Sequence, residues 1–389
     1  MSVSIQHELV ERIHAAGRQC VVSVTGGGSR AIADLLTVPG ASASVLEAVV
    51  PYAPAALDEW LGGPVDQACS EHAARAMAMA GFERARRFSD ADPRAICGIG
   101  ATASLATTRT KRGPHRVHVA WQSAQATVTY SCELAKAARN RDDEETLAGG
   151  LVLYAVAEAC GVTVEAPLAP SPSEPITRRE KRAPDAWTEL LLGHRTQVGE
   201  PASAGGQSAA PQIRHHAKLT KPLVVFPGAF NPFHAGHRRM AQIAAVRCGG
   251  PVSCELSIKN VDKRAIDFLE IDDRLQQLAD YPVLLTRAAT FAEKAALVPG
   301  AVFVVGADTL ERIGELRYYG GSAERRNAAV AAITDLGCRF LVFGRTVDGR
   351  FCTLATLANL PTTLRRLCDE VPENEFRDDV SSSELRRTD

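Results

Sequence analysis

GAFNPFHAGH, residues 228–237, lies between the apolar run 223–226 and an amphipathic stretch over 237–246. The expected order is strand, tight loop, helix, the repeating unit of an α/β sheet. His234 and His237 stand three positions apart at the helix entrance, which puts both imidazoles on one helix face. The first turn of a helix carries unpaired N–H groups and the positive end of the dipole, and anions settle there. Gly228, Ala229, Ala235 and Gly236 are small enough to let a bulky ligand reach the backbone, with Phe230 and Asn231 between them. Such a loop suits a nucleoside triphosphate.

Beyond this loop the C-terminal half continues to alternate. Strands are expected at 253–257, 283–285, 301–305 and 340–343 as well as 223–226, with helical patterns between most of them. This alternation predicts an α/β fold with a parallel, Rossmann-like sheet, helices on both faces and ligands at the carboxyl ends of strands. Gly306 and Asp308 follow the strand 301–305, so Asp308 is expected where it can accept from a hydroxyl or amine. The competing reading makes Asp308 the N-cap of the next helix. Ser381, Ser382, Ser383 and Glu384 have capping-box spacing. Arg386 and Arg387 then fall near a helix start, where the dipole disfavours cations unless they face an anion such as a triphosphate. A solvated basic tail fits Arg387 better than Arg386. Lys259 and Lys263 follow the strand 253–257, and either the same crevice or the surface accounts for them.

The N-terminal half, to about residue 162, also reads as α/β. Helical patterns cover 7–16, 29–36, 67–80 and 144–160, and strands are expected at 20–24, 46–52, 94–99, 116–122 and 126–133. Ser23, Thr25, Gly26 and Gly27 lie where the first strand passes into a helix, a phosphate-cradle geometry of low specificity. A second glycine-rich turn is expected at 97–102, followed by a basic loop at 108–113, which is either a phosphate contact or a solvated hairpin tip. Residues 163–220 are rich in Pro, Ser, Ala and Gly and read as a linker, with one short helix at 186–192. The domains expected are therefore 1–162 and 221–389.

Composition excludes several classes. A chain of 389 residues with 46% hydrophobic and 23% charged residues has room for two cores. A net charge of −1 gives no reason to expect nucleic acid or an anionic membrane as partner. The ten cysteines form no CxxC pair and no zinc-spaced cluster, so no metal site is expected in the protein itself. Neither a signal peptide nor a run of the ~20 apolar residues a membrane span needs is visible, and a cytoplasmic protein is expected. A homo-oligomer is left open.

GAFNPFHAGH, FVVGADTL (303–310) and VSSSELRR (380–387) occur in the order seen in the nucleotidyltransferase superfamily with the HxGH signature. The C-terminal half most resembles nicotinate- or nicotinamide-mononucleotide adenylyltransferases. The resemblance implies AMP transfer from ATP to a pyridine mononucleotide with release of pyrophosphate. It implies that His234 and His237 bind the ATP phosphates, that Ser382, Ser383 and Arg386 hold the triphosphate, and that Asp308 helps hold the nucleotide. Mg²⁺ would enter with ATP, held mainly by phosphate oxygens and water.

SVTGGGSRAIADLLTVPGAS (23–42), EAVVPYAP (47–54) and CGIGATAS (97–104) resemble the CinA C-terminal domain family, whose active members deamidate nicotinamide mononucleotide. The resemblance implies a site at Ser23 and Thr25 with Tyr52 nearby. Leu57 stands where that family carries a lysine, which leaves a serine nucleophile without an obvious base. A deamidase and a binding or scaffolding descendant of that fold are both kept. For the whole chain the alternatives are a cytidylyl- or adenylyltransferase with another acceptor, such as phosphopantetheine, and a nucleotide-binding sensor without turnover.

Overall fold

The computed structural model of the chain describes residues 3–108, 112–165, 171–200, 222–259, 264–347 and 350–377. It divides into two compact units, Met1–Leu192 with Asp262–Ile271, and Gly193–Val261 with Asp272–Asp389.

The first unit is built on a six-stranded sheet: β1 (Gln19–Thr25), β2 (Val45–Val49), β3 (Ile96–Ser104), β4 (His115–Ser123), β5 (Ala126–Leu134) and β6 (Thr177–Arg182), in the order β2-β1-β3-β4-β5-β6. β1 is parallel to both its neighbours, and the β3 to β6 pairings are antiparallel. Alternation along β1 sends Cys20, Val22 and Val24 into a core shared with the helices Val3–Ala15 and Arg141–Ala159. The helix Glu71–Phe88 lies against β3, β4 and β1.

The stretch 97–102, expected as a glycine-rich turn, lies inside β3. Its glycines serve packing. A Cβ on Gly98 would come within 2.1 Å of the Ala78 carbonyl oxygen, and one on Gly100 within 2.2 Å of the Ala74 carbonyl oxygen. The helix Glu71–Phe88 therefore rests backbone to backbone on this strand, and only glycine admits the approach.

The stretch 163–220, expected as a linker, contributes to both sheets. Its charged segment 177–182 is β6, which pairs with β5 at the sheet edge. An edge strand rich in charge is protected from pairing with other chains, and the charges have partners: Arg178 pairs with Glu158 at 2.9 Å and Arg179 with Glu71 at 2.9 Å. The expected helix forms as Asp185–Leu192.

The second unit carries β7 (Gln197–Glu200), β8 (Val224–Pro227), β9 (Val252–Ser257), β10 (Val283–Thr286), β11 (Val302–Gly306), β12 (Arg339–Phe343) and β15 (Cys368–Val371), with a small hairpin of β13 (Arg345–Val347) and β14 (Arg350–Cys352). The sheet order is β15-β12-β11-β8-β9-β10-β7. All its pairings are parallel except β7 with β10. The five strands expected from the sequence are all present. Phe303, Val305, Phe340 and Val342 build one core with the helices Phe291–Leu297, Ala307–Gly314 and Ala323–Asp335. Val224 and Val304 alternate to the other face, where Ala241 and Ala244 of the helix Ala235–Cys248 are buried.

The chain passes from β8 outward through β9 to β10, then returns to place β11 on the opposite side of β8. The carboxyl ends of β8 and β11 thus flank the point where strand order reverses, the usual ligand crevice of such sheets. Beneath it lies a buried ion pair. Lys294 Nζ sits 2.8 and 2.7 Å from the Glu255 carboxylate oxygens and donates to the Ala288 carbonyl at 2.9 Å. The Thr286 hydroxyl donates to the same carboxylate.

Candidate functional site

The loop after β8 is held from several sides. The Gly228 N–H donates to the Glu255 carbonyl at 3.0 Å. Arg274 donates to the Ala229 carbonyl, and the Phe233 N–H to Gln277 Oε1 at 2.9 Å. Phe230 has φ +48° and a buried ring set edge-on to Phe226 and Phe233, with centroids 5.4 and 5.5 Å away. That ring occupies the room at Gly228, where a Cβ would lie 2.6 Å from it. Glycine at 228 thus serves the loop's own packing. Ala229 is exposed, Asn231 half-buried and Gly236 buried.

His234 is the N-cap of the helix Ala235–Cys248, its Nδ1 accepting from the Gly236 N–H at 3.2 Å. His237 closes a capping box by accepting on Nδ1 from the His234 N–H at 3.3 Å. An Nδ1 that accepts puts the proton of a neutral imidazole on Nε2. The ring centroids are 3.8 Å apart, and His237 stacks on Phe233 at 5.4 Å. Burial, then the charges of His234 and Arg345, pulls the His237 pKa down to about 3. His237 is therefore a neutral donor at pH 7.

Across the switch point, Gly306 is the N-cap and Asp308 lies in the first turn of the helix Ala307–Gly314, with no side-chain cap bond. Asp308 is not the N-cap. Its Oδ2 meets Arg345 Nη1 at 3.4 Å, and its Oδ1 is buried with no hydrogen-bond partner among the described residues. Oδ1 lies 2.5 Å from where a Cβ on Gly306 would be, so a larger residue at 306 would displace the carboxylate. Ser382, Ser383 and Arg386, with Ser381, Glu384 and Arg387, lie outside the described residues, as does Lys263. Lys259 is exposed beyond β9.

The first unit has a cavity of about 450 Å³ at the carboxyl end of β1, lined by Thr25, Gly26, Gly27, Tyr52, Arg141 and Glu145 among others. That size suits a small organic ligand (about 300–1,000 Å³). Ser23, expected here, is fully buried and donates to the Ile99 carbonyl at 2.9 Å. The reason is register: Ser23 is paired with Gly100, whose Cβ position faces the helix Glu71–Phe88, so Ser23 turns under that helix. Leu57 is buried with Leu61, Met77 and Ala80.

The anion seat expected at this glycine loop is taken by the chain's own carboxylate. Glu145 accepts from the Gly28 N–H at 3.0 Å, the Ser29 hydroxyl at 2.9 Å and the Arg30 N–H at 3.3 Å, at the start of the helix Arg30–Thr37. Burial alone would raise its pKa, but these donors outweigh it and hold the carboxyl below its usual range. Arg141 is likewise engaged, donating to the Gly26 carbonyl at 2.8 Å and the Ala106 carbonyl at 3.4 Å. Removing Glu145 as Glu145→Ala leaves the buried Gly28 N–H without an acceptor, while Ser29 and Arg30 are exposed to water, and is expected to cost about 1–3 kcal/mol. The group's folded pKa is depressed, so its contribution is complete above the ordinary glutamate value of about 4.3 and fades as pH falls through the lower folded value. Urea unfolding followed by fluorescence of Trp60, Trp121 and Trp187, all in this unit, should show the full deficit at pH 7 and a smaller one at pH 3.

Residues 225–388 match the cytidylyltransferase-like family model. The C-terminal region thus carries a cytidylyltransferase-like domain, and nucleotidyl transfer is the general chemistry this supports. The chain is similar in part to solved CinA superfamily proteins. One from Klebsiella pneumoniae 700603 is 18% identical, with 40% of this chain and 98% of that one covered and a TM-score of 0.33. The competence/damage inducible protein CihA from Agrobacterium tumefaciens is 20% identical over 40% and 92%, with a TM-score of 0.30. A CinA superfamily protein from Escherichia coli is 20% identical over 40% and 86%, also with a TM-score of 0.30. No curated protein matches the chain. No helix among the described residues is long and apolar enough to cross a membrane.

Within the cytidylyltransferase-like region Arg345, Arg274 and Gln277 join the site without a sequence motif of their own. Arg345 follows the strand expected at 340–343, so the strand-end rule that flagged Asp308 also reaches it. Arg274 and Gln277 carry no such signal, because they act on the loop from a helix more than forty residues along. Arg141 and Glu145 of the first unit are equally silent.

Proposed function

We propose that the C-terminal domain transfers AMP from ATP to a pyridine mononucleotide and releases pyrophosphate. The observation that carries this reading is the pair of capping histidines after β8 together with Asp308 after the neighbouring strand β11, at the carboxyl ends that flank the switch point. An oxygen of the acceptor phosphate attacks the α-phosphorus of ATP, and the bond from that phosphorus to the oxygen bridging to the β-phosphate breaks. No protein nucleophile is needed, so catalysis rests on positioning and on meeting the charge that moves to pyrophosphate. His237 Nε2–H, with His234 in support, donates to the α- and β-phosphate oxygens. The Asp308 carboxylate accepts from a hydroxyl or amine of the nucleotide. Mg²⁺ enters as part of the substrate Mg-ATP and shares the phosphate charge; among the described residues no group of three or more His, Cys, Asp or Glu is placed to hold a metal ion.

The family description favours one second reading, transfer of CMP from CTP. For the first unit we infer ligand binding in preference to amide hydrolysis, because Ser23 is bonded inside the sheet and Leu57 is packed in the core.

The purified protein incubated with Mg-ATP or Mg-CTP and nicotinate mononucleotide, nicotinamide mononucleotide or phosphopantetheine should release pyrophosphate only with ATP and a pyridine mononucleotide. Release with CTP or phosphopantetheine transfers the assignment to that substrate, and none with any pair overturns it. Ammonia followed in parallel, and lost in Ser23→Ala, would restore the deamidase reading.

A further inference from the structure

The histidine pair leaves an electrostatic problem at the transfer site. An acceptor phosphate must approach a triphosphate, two anions that repel, and the His237 imidazole is neutral at pH 7. A fixed cation is needed where the two substrates meet. We propose that Arg345 supplies it, binding the phosphate of the acceptor beside the nucleoside triphosphate, and that Asp308 positions its guanidinium; this rests on the nucleotidyl-transfer reading.

Arg345 stands two residues beyond β12, which ends level with β11 through the pair Gly306–Phe343. Its Cδ lies 3.9 Å from where a Cβ on Gly306 would be, so the side chain crosses the end of β11, the strand beside β8. Its positive charge is also felt at His237, where it adds to burial and His234 in lowering that pKa.

The pair with Asp308 is not built for its own sake. A self-sufficient arginine–carboxylate pair is bidentate, with two short bonds. Here, among the described residues, the guanidinium makes one hydrogen bond, at 3.4 Å, out of five possible donors. The second Asp308 oxygen is buried without a partner. Both side chains are about a third exposed, at 36% and 34%, where such a contact stabilises little. A guanidinium loosely steered by one carboxylate oxygen keeps its remaining donors for a phosphate.

The test compares wild type with Arg345→Gln and Arg345→Lys. Equilibrium titrations with nicotinate mononucleotide and, separately, with Mg-ATP are run beside steady-state pyrophosphate release. Loss of a charge-assisted bond of this kind corresponds to about tenfold or more in affinity. Arg345→Gln should raise the Kd and KM for the mononucleotide by at least that factor while changing the Kd for ATP less than threefold, and Arg345→Lys should recover part of the loss. Asp308→Asn should move the mononucleotide KM in the same direction by a smaller factor. A mononucleotide Kd unchanged in Arg345→Gln, or an equal loss for both ligands, overturns the proposal, as does a wild-type protein that binds no mononucleotide. Wild-type protein that binds mononucleotide but releases no pyrophosphate counts against nucleotidyl transfer, and the titrations still decide the role of Arg345.

Discussion

Replacing His237 by alanine is expected to lower the rate of the proposed AMP transfer by about 10²–10³-fold, the cost of removing one preorganised donor to developing charge. The expectation follows from the capping box. Because Nδ1 accepts from the His234 N–H, the imidazole proton resides on Nε2, and stacking on Phe233 fixes the ring before substrate arrives. The bond strengthens as charge moves to pyrophosphate, so kcat should fall much further than affinity for ATP. Single-turnover pyrophosphate release with bound Mg-ATP is the measurement, with circular dichroism to verify the fold. A folded His237→Ala protein within tenfold of wild type would remove His237 from the chemistry. The same residue sets an acid sensitivity. Its folded pKa of about 3 lies below the ordinary histidine value of 6.5, so the unfolded chain takes up a proton that the folded one does not. Stability is therefore complete above pH 6.5 and declines as pH falls toward 3, and His237→Ala should flatten that part of the profile.

Replacing Lys294 by alanine is expected to destabilise the second unit by about 3–5 kcal/mol, since it strands the Glu255 charge in the interior. Glu255 is 2% and Lys294 7% exposed, so water reaches neither. Glu255 spans β9, Thr286 ends β10 and Lys294 lies in the helix Phe291–Leu297, which makes the triad a tie between three elements under the β8 loop. The double replacement Glu255→Leu with Lys294→Met should recover most of the loss, because apolar residues of similar volume often substitute for a buried pair without penalty. All three tryptophans lie in the other unit, so hydrogen exchange in peptides covering 252–257 and 283–286 is the appropriate readout. A change below 1 kcal/mol in Lys294→Ala would mean that the buried pair does not tie these elements together.

The parallel sheet of the second unit was legible because each strand there is a short apolar run between helical patterns, and the loop after β8 combines its histidines and small residues within ten positions. Asp308 was legible by the same strand-end rule. The rule reaches Arg345 as well, but its pairing with a carboxylate 37 positions away cannot be read from the sequence. Glu145 is harder still: its three donors lie more than 110 positions earlier, and the loop they form has the composition of an empty phosphate cradle. The segment 177–182 reads as linker because charge marks both linkers and protected edge strands. Ser23 looked available because the sequence does not tell which face of β1 a helix will cover.

Gly98 and Gly100 carry a mechanical consequence. At Gly98 and Gly100 no side chain of β3 separates the strand from the helix Glu71–Phe88, and backbone meets backbone with no room for one to slide past the other. Strand and helix can shift only as a single rigid slab. Any closing motion around the cavity at the end of β1 must then be absorbed by the loops that carry Gly26, Tyr52 and Ala106, and substitutions there should change how fast a ligand enters and leaves while the slab stays as it is.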